Sequence, residues 1–176
     1  MVRYEQVKGL KVVTINEGKE IGKVDDLFVD PDMRQVRWLR IHTGGLFGNR
    51  EWVLTESVHG IGANAFMINA ESDIRTSADV PAAEELAKNK RRLIGAKVMT
   101  ESGKAVGKVE DYEFDEHSFA ITRLVIPPHM GMEADHFIEV PSDKVVTIGT
   151  DVVIVAADVE KQLDEAILSL REAEKV

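Results

Sequence analysis

The stretch Gly18 to Asp30, GKEIGKVDDLFVD, occurs twice, because Gly103 to Asp115 reads GKAVGKVEDYEFD. Without a gap, seven of the thirteen positions are identical: Gly18/Gly103, Lys19/Lys104, Gly22/Gly107, Lys23/Lys108, Val24/Val109, Asp26/Asp111 and Asp30/Asp115. Self-similarity of this kind is the mark of an internal duplication, so the chain must fold into two similar units. Divided over 176 residues, each unit has roughly 75 residues and buries only about 60% of its unfolded surface. Such units are marginal alone and gain from any further structure that docks on them.

Each copy reads as a run of short strands. Val7–Ile15 is rich in Val and Ile, and EGK at 17–19 supplies a tight turn with Gly18 free to take a positive φ. Ile21 and Val24 lie three apart, so a regular strand cannot place them on one face. Gly22, and Gly107 in the second copy, offer a bulge or bend that resets the facing. Asp30-Pro31-Asp32 is a turn signal, and Asp115 stands in the matching place. Strands follow at Gln35–Thr43 and Ile121–Ile126, at 52–54 and 137–140, and at 65–69 and 151–156. The expected fold is mainly β, two small antiparallel barrels or sandwiches of five or so strands each. Pro81, Glu84, Glu85, Lys88 and Lys90 are ordered as in a short linker helix. After Asp158, the residues Val159, Leu163, Ala166, Ile167 and Leu170 form the stripe of an amphipathic C-terminal helix. The boundaries read from these signals are 1–76 for repeat 1, 77–92 for the linker, 93–157 for repeat 2 and 158–176 for the last helix.

Composition narrows the function. Net charge is −9, and no basic face is evident, which argues against coating DNA, whose phosphates must be neutralised by Lys and Arg. The run Lys88, Lys90, Arg91 and Arg92 is read as a solvated helix end, and a salt-resistant shift of duplex DNA is not expected. There are no cysteines, which excludes thiol catalysis and thiolate metal sites. The longest apolar run, Val152–Ala157, is far shorter than the ~20 residues of a membrane span. The first residues lack the apolar core of a signal peptide, so a cytoplasmic protein without membrane insertion is expected.

The repeated motif resembles that of the PRC-barrel family, G-x-x-[IV]-G-x-V-x-D-x-x-x-D. Both copies match, through Gly18, Ile21, Gly22, Val24, Asp26 and Asp30, and through Gly103, Val106, Gly107, Val109, Asp111 and Asp115. Val140-Pro141 matches a later element that copy one replaces with Val53-Leu54. The resemblance implies PRC-type barrels with a non-catalytic binding role. Members include the cytoplasmic domain of the photosynthetic reaction-centre H subunit and the C-terminal domain of the ribosome maturation factor RimM. The chain lacks the membrane helix of the first and the RNA-linked domain of the second. It is therefore expected to be a protein-binding adaptor or scaffold, in an RNA/ribosome-related or a membrane-complex setting. The alternative is an accessory of photosynthetic electron transport with carboxylates such as Asp26, Asp111 or Glu133 tuning protons.

Candidate site residues are few. Asp26, Asp111, Asp30 and Asp115 are assigned to backbone amides at a bend and a turn. His129 and His136, with Glu133 and Asp135 between them, form the best metal-like cluster, but their spacing is not helical and Pro127-Pro128 places them in a loop. No metal or other cofactor is assigned, and no nucleophile elbow or phosphate loop is present. Trp38 aligns with Arg123 and Trp52 with Glu139. Positions that accept a charge in one copy face outward, so both tryptophans are predicted on the surface as contacts for the other barrel or a partner. Leu46 and Phe47 in one loop, and Met130 and Met132 in the matching loop, are apolar tips flanked by glycine, read as packed locally or, alternatively, as the contact residues of a protein-binding lip. The apolar stripe of the C-terminal helix is covered most simply by packing on a barrel, otherwise by a twin helix in a homodimer, and the expected partner is another protein or a second copy.

Overall fold

The first copy of the duplicated segment forms the longest strand among the described residues, and its irregular apolar spacing is resolved by bulges. In the computed structural model, which describes residues 1–127 and 137–175, it lies in the first of two units. Unit 1 comprises Met1–Arg92 with Phe114–Ala120, and unit 2 comprises Leu93–Glu113 with Ile121–Val176.

Unit 1 contains β1 (Val2–Arg3), the single turn α1 (Tyr4–Val7), β2 (Lys11–Thr14), β3 (Glu20–Asp30), β4 (Gln35–Thr43), β5 (Arg50–Leu54), β6 (Val58–Ile61), β7 (Ala65–Ile68) and α2 (Pro81–Lys88). Six of these strands form one sheet in the order β5-β4-β3-β2-β7-β6. Val12 pairs with Gly22 and Val13 with Glu20, which leaves Ile21 as the bulged residue. A second bulge falls at Asp25, between the pairs Val24–Ile41 and Asp26–Arg40. The facing is thus reset beside Gly22 rather than by it. The glycine answers a different need, since a Cβ there would lie 2.1 Å from the carbonyl oxygen of His42. Gly107 is confined in the same way, 2.8 Å from the Pro127 oxygen and at φ +152°. In both copies the following hairpin arm crosses too closely for a side chain.

Unit 2 contains β8 (Lys97–Thr100), β9 (Ala105–Lys108), β10 (Asp111–Phe114), β11 (Ile121–Ile126), β12 (Ile138–Pro141), β13 (Val145–Ile148), β14 (Val152–Val155) and α3 (Val159–Ala173). Val98 pairs with Gly107 and Met99 with Ala105, so Val106 bulges as Ile21 does. Here the long strand breaks at 109–110, giving the sheet β13-β14-β8-β9 and a separate run β10-β11-β12.

Three expectations need correction. The sheets are open rather than closed barrels. They are mixed rather than antiparallel, because β2 runs parallel to β7 and β14 parallel to β8. The cause is the 3-10 turn at Thr55–Ser57, matched by Ser142–Lys144, which passes the chain to the next strand without a reversal. An even number of reversals then separates first and last strands. Finally, the strand expected over Val7–Ile15 begins only at Lys11, because Tyr4–Val7 forms a helical turn that buries Tyr4 and Val7.

The turns follow their side chains. Gly18 and Gly103 take φ +62° and +87°. Asp30 Oδ1 accepts the amides of Asp32 (3.0 Å) and Met33 (3.2 Å), and Asp115 Oδ1 those of His117 (3.0 Å) and Ser118 (2.7 Å). Each turn closes through a left-handed residue, Arg34 at φ +53° and Phe119 at φ +60°. The bonds from Ser118 hold the Asp115 carboxyl below the usual carboxylate range.

The inner faces carry the cores, with cross-strand pairs Leu27–Leu39, Leu39–Val53 and Val24–Ile41 in unit 1 and Leu124–Val140 and Ile126–Ile138 in unit 2. These side chains are all buried, each worth about 1.5–3 kcal/mol over its exposed state. In unit 2, α3 packs against β12 and buries Val159 and Leu163. Its first turns are fixed by the Thr100 and Ser102 hydroxyls on Glu160 and by a 2.8 Å pair between Lys104 and Asp164. Further along, Ile167 and Leu170 are only half-buried and Leu168 is exposed.

Candidate contact surfaces

Both tryptophans are buried, Trp38 at 7% and Trp52 at 0% exposure, which overturns their predicted surface position. The outer face of β3, β4 and β5 carries Phe28, Trp38 and Trp52, and α2 lies on it with Val80, Ala83, Leu86 and Ala87. Pro81 opens that helix at its first position, where the missing N–H is no loss. The tie is also polar: Trp52 Nε1–H donates to Glu84 Oε1 at 2.9 Å, and Ser77 Oγ–H donates to the same oxygen. The Ser77 hydroxyl, together with the Trp52 N–H, holds the Glu84 carboxyl below its ordinary range. The linker helix is thus the cover that these aromatics require.

Within this face Arg40 is 8% exposed. Its guanidinium stands 5.2 Å from the Phe28 ring centre and 5.9 Å from that of Trp52, and its Nε donates to Asp25 Oδ2 at 2.6 Å. Next along β3, Asp26 is buried and accepts at Oδ1 from its neighbour's amide, Leu27 N, at 2.9 Å and from the Tyr4 hydroxyl at 2.8 Å. Arg92 Nε faces Oδ2 at 3.0 Å. Burial and the bond to Asp26 push the Tyr4 hydroxyl pKa well up. Asp111 likewise accepts the amide of Tyr112 at 2.8 Å. The backbone role assigned to these two aspartates is therefore in place, and at Asp26 it is joined by a charged clasp. Arg92, assigned to a solvated helix end, is half of that clasp. Arg40 was missed, since nothing in the string WLRI distinguishes a buried arginine from a solvated one.

The same face in unit 2 has the opposite chemistry. Arg40 pairs with Trp52 across β4 and β5, and Val125 pairs with Glu139 across β11 and β12. By that register Glu113, Arg123 and Glu139 occupy the places of Phe28, Trp38 and Trp52. Arg123 bonds Glu139 and lies 3.7 Å from Glu113, with Arg123 and Glu139 each more than 40% exposed. The alignment of Trp38 with Arg123 and Trp52 with Glu139 was correct; the inference to exposure failed because one copy has acquired a covering helix.

Leu46 and Phe47 are exposed, at 91% and 94%, which excludes local packing of this tip. They stand on a braced 3-10 turn, Gly45–Phe47. Thr43 N donates to Asn49 O at 2.9 Å and Gly48 N to Gly45 O at 3.2 Å, and His42 Nε2 lies 2.7 Å from the Gly45 oxygen, which makes it the protonated nitrogen. Gly44 sits at φ +77°, and a Cβ on Gly48 would fall 1.3 Å from the Thr43 oxygen. The backbone is therefore closely crossed at the base of the tip, where only glycine fits at position 48. Beside it, Lys11, Lys23, His42 and Arg50 align in register across β2, β3, β4 and β5.

Met130, Met132, His129 and His136, with Glu133 and Asp135, lie outside the described residues. Among the described residues no group of three or more His, Asp or Glu is placed to hold a metal ion, and no helix is long and apolar enough to cross a membrane. No curated protein matches the chain. A PRC-barrel domain is matched twice, over residues 1–73 and 87–162. Domains of this kind are generally non-enzymatic and adaptor-like. With its duplicated glycine-aspartate motif, its paired bulges and these two matches covering most of its length, the chain belongs to the PRC-barrel domain family and carries two copies in tandem.

Proposed function

We propose that this protein is a non-catalytic adaptor that binds another protein through the Leu46–Phe47 tip of unit 1. One observation carries the reading: two large apolar side chains are held more than nine-tenths exposed by a loop whose backbone is locked beneath them. Leaving a Leu and a Phe in water forgoes about 1.5–3 kcal/mol each, which a partner's apolar socket recovers. Trp38 and Trp52 contribute by fixing the face behind the tip, not by touching the partner. The setting proposed is assembly of a ribosome-related or membrane-bound complex in the cytoplasm. The alternative, proton tuning for photosynthetic electron transfer, gains no support at Asp26, whose oxygens are engaged by Leu27, Tyr4 and Arg92. Capture of partners from the native cell with wild type and with Leu46→Ala/Phe47→Ala tests the proposal. A partner retained by wild type and lost by the double variant supports it, and an unchanged capture profile overturns it.

A further inference from the structure

We infer that one partner of the Leu46–Phe47 tip is a second copy of this chain, which receives it on the outer half of α3. The inference rests on reading the tip as a contact surface and adds the identity of what it meets. Both units are acidic overall, so the support for the contact is local and not a matter of net charge. Taken by unit, unit 1 has fourteen Lys/Arg against sixteen Asp/Glu, net −2, and unit 2 has eight against fifteen, net −7. Nearly all of the excess acid thus belongs to unit 2, because the basic run 88–92 falls in unit 1.

Local charge sharpens the match. The apolar tip is bordered by the row of Lys23, His42 and Arg50, of which Lys23 and Arg50 are exposed, Arg50 lying 3.7 Å from Asp25 Oδ2. On α3, Leu168 is 57% exposed, beside the half-buried Ile167 and Leu170. Its helical neighbours three and four residues away are Asp164, Glu165, Arg171 and Glu172; Asp164 is paired with Lys104, which leaves the two acids Glu165 and Glu172 beside one base. The contacts α3 makes with its own unit involve its first turns, through Val159, Glu160, Leu163 and Asp164. An apolar spot with an acidic rim on one copy therefore faces an apolar tip with a basic border on the other. Two Phe/Leu side chains and one helix end bury less than the ~1,200–2,000 Å² of a stable interface. The association is accordingly weak and reversible, with a dissociation constant on the order of 100 μM.

Sedimentation velocity of the whole chain from low to high micromolar concentration, at low and high salt, tests this. The expected result is a mass that rises with concentration, a rise reduced by salt, and a dissociation constant raised at least about tenfold by Phe47→Asp. Lys23→Glu/Arg50→Glu and Glu165→Lys/Glu172→Lys are each expected to weaken association, and mixing the two variants to restore it. All four positions are exposed, and circular dichroism confirms that each variant is folded. A monomer at every concentration, or charge variants that fail to rescue each other, overturns the inference. A monomeric chain that still captures another protein through Phe47 overturns self-association alone and leaves the adaptor reading in place.

Discussion

Truncating Trp52 and truncating its counterpart Glu139 are the same operation on the same sheet position, with opposite expected costs. Trp52 is fully buried between Phe28, Arg40 and α2, its ring centre 5.1 Å from that of Phe28. Removing a buried aromatic to Ala costs about 3–5 kcal/mol, lost transfer and residual cavity together. The Nε1–H bond to Glu84 adds about 1.5 kcal/mol for a charged acceptor. A total of about 4.5–6.5 kcal/mol is a large part of the stability of a small unit. Glu139, in contrast, is 43% exposed and bonded to Arg123, where truncation costs about 0–1 kcal/mol. Both tryptophans of the chain lie in unit 1, so their emission follows that unit alone and avoids assuming that the whole chain unfolds in one step. With a urea slope of about 2 kcal/mol per molar, Trp52→Ala should lower the midpoint of unit 1 by roughly 2–3 M, read from Trp38. Glu139→Ala should leave it unmoved, and far-ultraviolet dichroism should place its effect on unit 2 within about 0.5 M. Equal costs at the two positions, or a Trp52→Ala cost below about 1 kcal/mol, would refute the claim that one face was rebuilt to receive the linker helix.

Three further outcomes are expected. Because the Glu84 carboxyl is held low by Ser77 and Trp52, its contribution is full above the ordinary glutamate pKa of about 4.3 and is lost as pH falls through the lower folded value. Acid titration should therefore red-shift tryptophan emission in a step that Glu84→Gln abolishes, and a step that survives in that variant would be evidence against the clasp. Gly22→Ala forces a Cβ onto the His42 oxygen and should cost roughly 1–3 kcal/mol by overpacking, measured by urea melts; a neutral substitution would show that the crossing is looser than described. Asp30→Ala removes two amide bonds from the turn and should cost about 0.5–1.5 kcal/mol, with hydrogen exchange at Asp32 and Met33 accelerated; unchanged exchange would deny the turn its side-chain anchor.

Much of the architecture was legible because the duplication supplied an internal comparison. β4 was read to the residue, Gln35–Thr43, and so was β11, Ile121–Ile126, because both are rich in β-branched residues and bounded by turn signals. The bulge beside Gly22 was foreseeable from Ile21 and Val24 lying out of phase, yet the reason for the glycine was not, since a crossing strand leaves no mark in local sequence. β6 was overlooked because VHGI lacks a strand-like alternation and pairs through a bulge. The parallel pairing was hidden for a similar reason: whether Thr55–Ser57 reverses the chain depends on tertiary packing.

The contact surface divides the same way. Leu46 and Phe47 were recognisable as a tip because glycines flank them. The tryptophans were misplaced because copy-to-copy comparison assumes equal surroundings, and α2 belongs to only one copy's face. One signal was available: Val80, Ala83, Leu86 and Ala87 give the linker helix an apolar side that must be covered. Two outward tryptophans beside it were the nearest cover.

The adaptor reading is tested most directly by photo-crosslinking in the native cell, with p-benzoylphenylalanine placed at Phe47 and, as a control, at the exposed Glu56. A discrete crosslinked species from position 47 and none from position 56 is the expected result. No product from position 47, or the same diffuse products from both, would contradict the claim that this protein works through its apolar tip.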